Sequence, residues 1–552
     1  VPGLSELLVQ LGSGRNGVRR AAYEHWIREH DSLDEFARAE LASALRRMPV
    51  RPLISVVMPV YEPPEQHLRE AIASVRRQLY PEWQLCMADD ASPSPHVWRA
   101  LQAAEREDRR ITVTRRARNG HISAASNTAL SLARGDFIAL MDHDDVLPDH
   151  ALAVMALETS RCPDVDVLFS DEDKIDNKGH RSDPYFKPGW DPELLLGQNL
   201  VSHLGVYRRS LLEQVGGFRE GFEGSQDWDL ALRATGTVGP GRVRHVPAVL
   251  YHWRQDRRAT SFSAAALERC AAAGRRAVAE ALEREGASGA RVVEQPELPG
   301  WSRVVHPLPA RLPGVSVLVP SGQEVPTGEF PVEVIRPGSR TGSLEEGGMA
   351  AWLNRAAEVA RGEVLVLLGA GVIVSGSDWL REMVSQAVRP QVGAVGGLLQ
   401  DERGTVLQAG CVLGVPVLGV AEAPFLAGLS VHDVGYHGLL RLPRSVSAVR
   451  GNFLAVRQAA WRDVAGLEAD AFPAALWDVD LCLRLRRRGL RVLWTPHASA
   501  IGRPGRQPAS AAEELVRLKA CWGEMMAQEH HASPWFRLEG SGLQLSDEPP
   551  RA

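Results

Sequence analysis

Three carboxylates, Asp142, Asp144 and Asp145, fall within four positions at the end of the stretch FIALMDHDDVLP. Like charges so close repel one another unless something positive sits among them. Carboxylates in this spacing can share a hard divalent cation and bring positive charge to a bound diphosphate. The same spacing also suits a solvated acidic turn that caps the next helix. A second acidic pair, Asp89 and Asp90, closes WQLCMADD and is followed by Ser92, Pro93 and Ser94. Such a pair can accept hydrogen bonds from ribose hydroxyls or a base N–H, or form a helix cap or polar turn. Asp227, in FEGSQDWDLALR, stands at the head of a helical segment. There an acid facing a cleft can serve as general base for a hydroxyl nucleophile, or simply cap the helix. His121 of NGHIS and His252 of LYHWR suit a phosphate contact and a metal ligand respectively, or two satisfied buried imidazoles.

The elements that must position these residues alternate. LISVVMPVY, WQLCMADD and FIALM read as short apolar strands ended by proline or acids, and HLREAIASVRRQL and TALSLARG read as helices between them. Strands alternating with helices predict an α/β fold with a largely parallel sheet, whose ligands gather beyond the carboxyl ends of the strands. The acidic clusters fall at such ends. Ahead of them, AAYEHWIREH and DEFARAELASALRR carry helical spacing, giving an N-terminal helical segment over residues 1–50 that either docks on the next domain or meets a membrane surface.

At 552 residues the chain is too long for one ordinary core. Residues 298–314 hold LPG, HPLP and RLPG, a proline-dense composition typical of a linker, which separates a domain over 51–297 from another over 315–552. The second echoes the first. ASNTALSLARGDFIALMDHDDVLP can be laid on WLNRAAEVARGEVLVLLGAGVIVS at a constant offset. Asn127 then faces Asn354, Ala133 faces Ala360 and Gly135 faces Gly362, whereas Asp142, Asp144 and Asp145 face Gly369, Gly371 and Val372. DWDLALR from Asp227 pairs with DVDLCLR from Asp478. The scaffold repeats and the acids do not.

The net charge of −5 argues against a nucleic-acid partner held by charge. Six scattered cysteines with no CxxC pair fit buried thiols in a reducing compartment. No run of about 18 apolar residues could span a bilayer, and VPGLSELLVQLGSG lacks the regions of a signal peptide. A cytoplasmic protein is expected, with any membrane contact peripheral, at the inner face.

ISVVMPVYE, MADDASP, RNGHISAASNTALSLARGDFIALMDHDD, FSDEDK, YFKPGWDPELLLGQN and GGFREGFEGSQDWDLALR together resemble the family 2 glycosyltransferases of GT-A fold that build bacterial surface polysaccharides such as O-antigen. VRGNFLAVRQAAWRDVAGLEADAF and LWDVDLCLRLRRRGLRVLWTPHAS resemble the same family in a degenerate second copy, without acids at the metal position. The resemblance implies that Pro59, Val60, Tyr61 and Glu62 border a nucleotide whose base and ribose are read by Asp89 and Asp90, with His121 and Asn127 also on the nucleotide sugar. It assigns Asp142 and Asp144 to a D-x-D motif for the metal, Mg²⁺ or Mn²⁺, with His252 completing the site and Arg254 reaching the phosphates. Asp227 matches the general base, and Asp171, Glu172 and Asp173 fall where a sugar or acceptor would bind. The implied activity is inverting transfer from a nucleotide diphosphate sugar to a hydroxyl of a glycan or lipid-linked glycan. A non-catalytic glycan-binding scaffold and a sugar nucleotidyltransferase are the alternatives.

Overall fold

In the computed structural model, which describes residues 18, 20–255, 264–295, 297–298, 300–326, 328–376, 378–417, 420–424, 426–503, 510–528, 530–539 and 542–546, two mixed sheets carry the chain. The first is built from β1 (Ile54–Val60), β2 (Trp83–Asp89), β3 (Ile111–Arg115), β4 (Phe137–Leu140), β5 (Val167–Ile175), β6 (Arg181–Tyr185), β7 (Gly205–Arg208) and β8 (Val243–Arg254). Its order is β3-β2-β1-β4-β7-β5-β6, with β8 on β5. β1 runs parallel to both β2 and β4, and every one of its residues is buried, as expected of a central strand covered on both faces. β7 enters antiparallel between β4 and β5, which brings its amino end to the carboxyl end of β4.

Helices α1 (Arg20–His30) and α2 (Glu35–Arg47) precede the sheet. Of the two alternatives for this segment, the structure shows docking. Tyr23 and Trp26 are buried, the Tyr23 hydroxyl donates to Asp173 at 2.6 Å, and Trp26 packs edge-on against Phe186 and Trp535. Residues 1–17 and the leader reading made on them lie outside the described residues. Helices α3 (Glu65–Arg76), α4 (Pro95–Glu107), α5 (His121–Leu130), α6 (Ala151–Arg161), α7 (Pro192–Gly197), α8 (Arg209–Val215) and α9 (Gln226–Thr237) link the strands, and α10 (Ala264–Arg284) follows them.

The proline-dense stretch is no loose spacer. Residues Ser302–Val305 form β10, paired antiparallel with β9 (Arg291–Glu294), and Leu298, Trp301 and Val304 are buried in an apolar core that also takes residues of both sheets.

The second sheet takes β11 (Val315–Leu318), β12 (Val332–Ile335), β13 (Val364–Leu368), β14 (Ile373–Val374), β15 (Val392–Gln400) and β16 (Val406–Gln408). After the hairpin β17 (Cys411–Val417) and β18 (Val420–Pro424) come β19 (Arg444–Ser445), β20 (Phe453–Arg457) and β21 (Arg491–Ile501). Its order β12-β11-β13-β20-β15-β21 follows β2-β1-β4-β7-β5-β8 strand for strand, without a counterpart of β3. The helices here are α11 (Gly348–Val359), α12 (Asp378–Ala387), α13 (Gln458–Asp463), α14 (Trp477–Arg487) and α15 (Ala511–Ala527). The sequence repeat is visible atom by atom. Gly135 N donates to Ser55 Oγ at 2.9 Å, and Gly362 N donates to Ser316 Oγ at 2.8 Å. A Cβ on either glycine would lie within 2.6 Å of that neighbouring strand, so both copies need glycine for close backbone approach.

Candidate functional site

The carboxyl ends of β1, β2 and β4 converge, and the acids of the sequence sit there. Continuing the antiparallel register Ala139↔Val206 beyond β4 puts Asp142 opposite His203. One ligand atom each from Asp142, Asp145 and His203 lies within 4.8 Å of the others. Tyr251 ties the turn down: its hydroxyl donates to Asp145 Oδ2 at 2.5 Å and accepts from Asp142 N at 3.1 Å, and its ring stacks on His203 at 4.3 Å. Burial raises the Asp142 carboxyl above its ordinary range, and burial with the charges of Asp144 and Asp142 raises Asp145 well above it. His203 Nδ1 is buried without a hydrogen-bond partner. Two crowded carboxylates beside an imidazole nitrogen with no proton donor or acceptor of its own form a donor set that fits a divalent ion, and a nitrogen among the oxygens suits Mn²⁺ as well as Mg²⁺.

His252, expected as the third ligand, is engaged elsewhere. Its Nδ1 meets Asp173 Oδ1 at 2.6 Å in a buried pair, and Asp173 also takes Tyr23 and the Arg181 guanidinium. The imidazole that meets Asp142 and Asp145 is that of His203. The sequence signal for His203 was slight, a histidine in LVSHLG just before a strand. Only the pairing of β7 with β4 gives it a site.

β5 divides the FSDEDK acids by strand alternation. Asp171 and Asp173 face inward: Asp171 accepts from Lys187 N at 2.8 Å and meets His245 Nε2 at 2.7 Å, while Asp173 holds α1. Both are buried and bonded within the protein rather than open to the sugar or acceptor expected there. Glu172 points the other way and is only partly buried, gripped by Lys187 Nζ at 3.1 Å and by His203 N at 3.1 Å. Burial works to raise its carboxyl, and the positive charge of Lys187 more than reverses this, so it lies below the usual range. Lys187 also donates to the carbonyls of Val201 and His203, fixing the peptide that carries the imidazole.

Asp227 lies in the first turn of α9, half-buried, with Asn199 Nδ2 on its Oδ2 at 2.7 Å. Its charge is among those acting on Asp142, after burial and the nearer charges. The neighbouring acid Asp229 is different: it is fully buried and clamped between Arg219 and Arg233. That leaves Asp227 as the acid in this first turn held by an amide rather than by guanidinium groups.

At the carboxyl end of β2, Asp89 accepts from Ser92 N and pairs with Arg115 at 3.0 Å, and Asp90 accepts from Gly120 N and pairs with Arg116 at 2.7 Å. Pro59 and Val60 are buried in β1, whereas Tyr61 is 47% exposed beyond it. Glu62, in a left-handed backbone conformation, caps Ser94 through N at 2.9 Å and Oγ at 2.6 Å. His121 opens α5 and is exposed. Asn127 does not reach this cleft: its amide donates to Phe218 O at 2.7 Å and accepts from Phe218 N at 2.9 Å. It is a clasp between α5 and the turn after α8, and Asn354 repeats it on Leu467 at 2.8 Å in both directions. Arg254 donates through Nε to Asp144 O at 2.7 Å and pairs with Glu70 at 2.6 Å.

Residues 55–216 match the model described as "Glycosyl transferase family 2". The uncharacterized protein y4gI of Sinorhizobium fredii is 37% identical over 514 residues, which are 86% of this chain and 56% of that protein. The O-antigen biosynthesis protein RfbC of Myxococcus xanthus is 35% identical over 516 residues, 87% of this chain and 39% of that protein. The chain therefore spans between two fifths and three fifths of the length of these relatives. A crystal structure of S. aureus TarS 1–349 with UDP-GlcNAc aligns at 20% identity and a TM-score of 0.32, over 43% of this chain and 73% of that one.

Proposed function

We propose, from the match of residues 55–216 to the glycosyl transferase family 2 model, that the chain transfers a sugar from a nucleoside diphosphate donor to a hydroxyl of a glycan or lipid-linked glycan, with inversion. The acceptor oxygen attacks the anomeric carbon, the bond to the diphosphate breaks, and Asp227 takes the acceptor proton, so the products are the glycoside and the nucleoside diphosphate. Asp142, Asp145 and His203 would hold a divalent ion, with Asp144 beside them. Such an ion supplies positive charge where the leaving diphosphate becomes more negative. Asp89, Asp90, Glu62 and Tyr61 shape the end of the cleft that takes the nucleotide, and Glu172 faces the side from which the sugar or acceptor enters. The O-antigen role in the name of the RfbC relative supports a surface polysaccharide as the acceptor. No described helix is long and apolar enough to cross a membrane.

The observation that carries this reading is the isolation of Asp227. Of the two acids in the first turn of α9 it alone has no ion pair among the described residues, Lys187 acting on it only from a distance, and its charge is felt at the Asp142 turn. The test is a panel of nucleotide sugars with the purified chain, read as release of nucleoside diphosphate. Release with at least one donor, abolished by chelation of divalent ions, is expected. Release of pyrophosphate instead would make the protein a nucleotidyltransferase, and inertness toward every donor and acceptor would make it a binding scaffold.

A further inference from the structure

We infer that the second sheet is a positioning element for Asp227, acting through residues 184–198. The inference rests on the proton-accepting role proposed for Asp227 above. Its physical basis is a chain of buried polar contacts that begins on the second sheet and ends on the two residues at the head of α9.

The first link is ionic. Glu193, in the first turn of α7, is nearly fully buried and is gripped by Arg389 through both terminal nitrogens, at 2.9 and 2.5 Å, and by Arg491 at 2.9 Å. Those two cations hold its carboxyl down to about 2 in spite of its burial. A buried pair of this kind gains little net stability after desolvation, but its two-pronged geometry fixes orientation. The second link is neutral: Asp191, which caps α7 through Glu193 N, accepts from both Ser445 N and Ser445 Oγ at 2.8 Å. A third holds the start of the stretch, where the Tyr436 hydroxyl donates to Pro184 O at 2.6 Å and accepts from Phe186 N at 2.9 Å.

From this clamped stretch two hydrogen bonds pass to α9. Trp228 Nε1 donates to Leu195 O at 2.8 Å, and the residue that follows the stretch, Asn199, donates to Asp227. The carboxylate is thereby located from its own side chain and from its neighbour's. No contact in this relay touches the nucleotide end of the cleft. Loosening it should therefore move the proton acceptor and leave donor binding alone.

The experiment uses the full chain with Arg389→Ala, Arg389→Lys and the milder Ser445→Ala, which removes one of the three donors to Asp191. Steady-state transfer is measured alongside hydrogen exchange of residues 195–203 and 226–230. The expected result for Arg389→Ala is a fall in kcat of about 10- to 100-fold, the scale of a small misplacement of a reacting group, with donor KM within about twofold. Partial recovery in Arg389→Lys, a smaller fall in Ser445→Ala, and faster exchange in both segments but not in residues 54–60 complete the expectation. Unchanged kcat and unchanged exchange in folded Arg389→Ala and Ser445→Ala would overturn the inference, as would a rise in donor KM with kcat preserved. Should the unaltered chain prove inert toward every donor, the function proposed above falls, and the exchange data alone decide the relay: selective acceleration supports it and no change refutes it.

Discussion

At Asp142 the first sheet presents an acid to His203; at the equivalent point the second sheet presents Gly369 to Asn452, one step beyond the paired residues Leu368 and Phe453. The strand pairing repeats, and the acid and the imidazole do not. The second turn has also been filled, for Gln323 donates to the carbonyls of Gly369 and Val372 and accepts from Gly371 N at 2.9 Å. Where the first sheet leaves a carboxylate pair to be neutralised from outside, the second satisfies its turn with one neutral side chain of its own. The helix-head acids part in the same way. Asp227 has an amide for a partner, whereas Asp478 is buried, accepts from Gly451 N and Val479 N, and pairs with Arg450 at 3.2 Å. An acid held by a permanent cation inside the protein is a poor proton acceptor. The lesson is that a repeat keeps its glycines and clasps because the fold needs them, and keeps its unpaired charges only where something uses them.

The sharpest way to break this comparison is to exchange the roles of the two helix-head acids. Asp227→Asn keeps the hydrogen bond to Asn199 within reach of an amide rotation but removes the proton acceptor, so kcat should fall by roughly 10²- to 10⁴-fold with donor affinity retained. Asp478→Asn should leave kcat within about twofold. It should cost about 1–3 kcal/mol in denaturant unfolding, since Arg450 loses its counter-charge. Transfer lost in the second variant and spared in the first would reverse the assignment. Next in size, Asp142→Ala should lower the rate by roughly 10²- to 10³-fold, and a calorimetric titration should show Mn²⁺ binding weakened in the same variant. Metal binding unchanged in Asp142→Ala would place the ion elsewhere.

The reverse change, Gly369→Asp, asks whether an acid alone can restore the second site. A side chain there starts 2.8 Å from Cβ of Asn452, so overpacking should cost about 1–3 kcal/mol, and no ion binding should appear in the titration. The smallest expected effect is one of pH. His437, stacked on Tyr185 at the joint between the sheets, is held by burial down to about 3, and His306 to about 4. Their folded forms are neutral, and the unfolded chain binds more protons below its ordinary value of about 6.5. Their contribution to stability is therefore whole above about pH 6.5 and is lost as pH falls toward 4. His437→Asn, whose asparagine tolerates the left-handed backbone at this position, should reduce that slope by up to about 1.4 kcal/mol per pH unit. An unchanged slope between urea curves at pH 7 and pH 5 would show that His437 is not neutral in the fold.

Much of this was legible in the chain, and the limits are physical. The strands ending in acids, the helices at AAYEHWIREH and DEFARAELASALRR, and the missing acids of the second copy follow from local periodicity and from comparison of the sequence with itself. What local pattern cannot carry is which side chain already has a partner. In one dimension the sequence points to His252 and gives little sign of His203. Strand register alone puts the first on Asp173 and the second on Asp142. The same holds for Asn127, whose survival in both copies marks a clasp, and for the proline-dense stretch, whose Trp301 proves to be buried beneath Gly438.

The aromatic contact between Trp26 and Trp535 also sets a timetable. Ribosomes add roughly 5–20 residues per second, so the first tryptophan waits on the order of 25–100 s for the second to be made. The same late residue closes over the first sheet, where its indole N–H donates to Pro247 O at 2.9 Å. Until then Trp26 and Phe186 lack the Trp535 ring, and the nascent chain carries an open apolar seam. Completion of the amino-terminal half is thus a late event in synthesis, and a chain halted before residue 535 would expose that seam even though every acid at the ends of β1, β2 and β4 had already been translated.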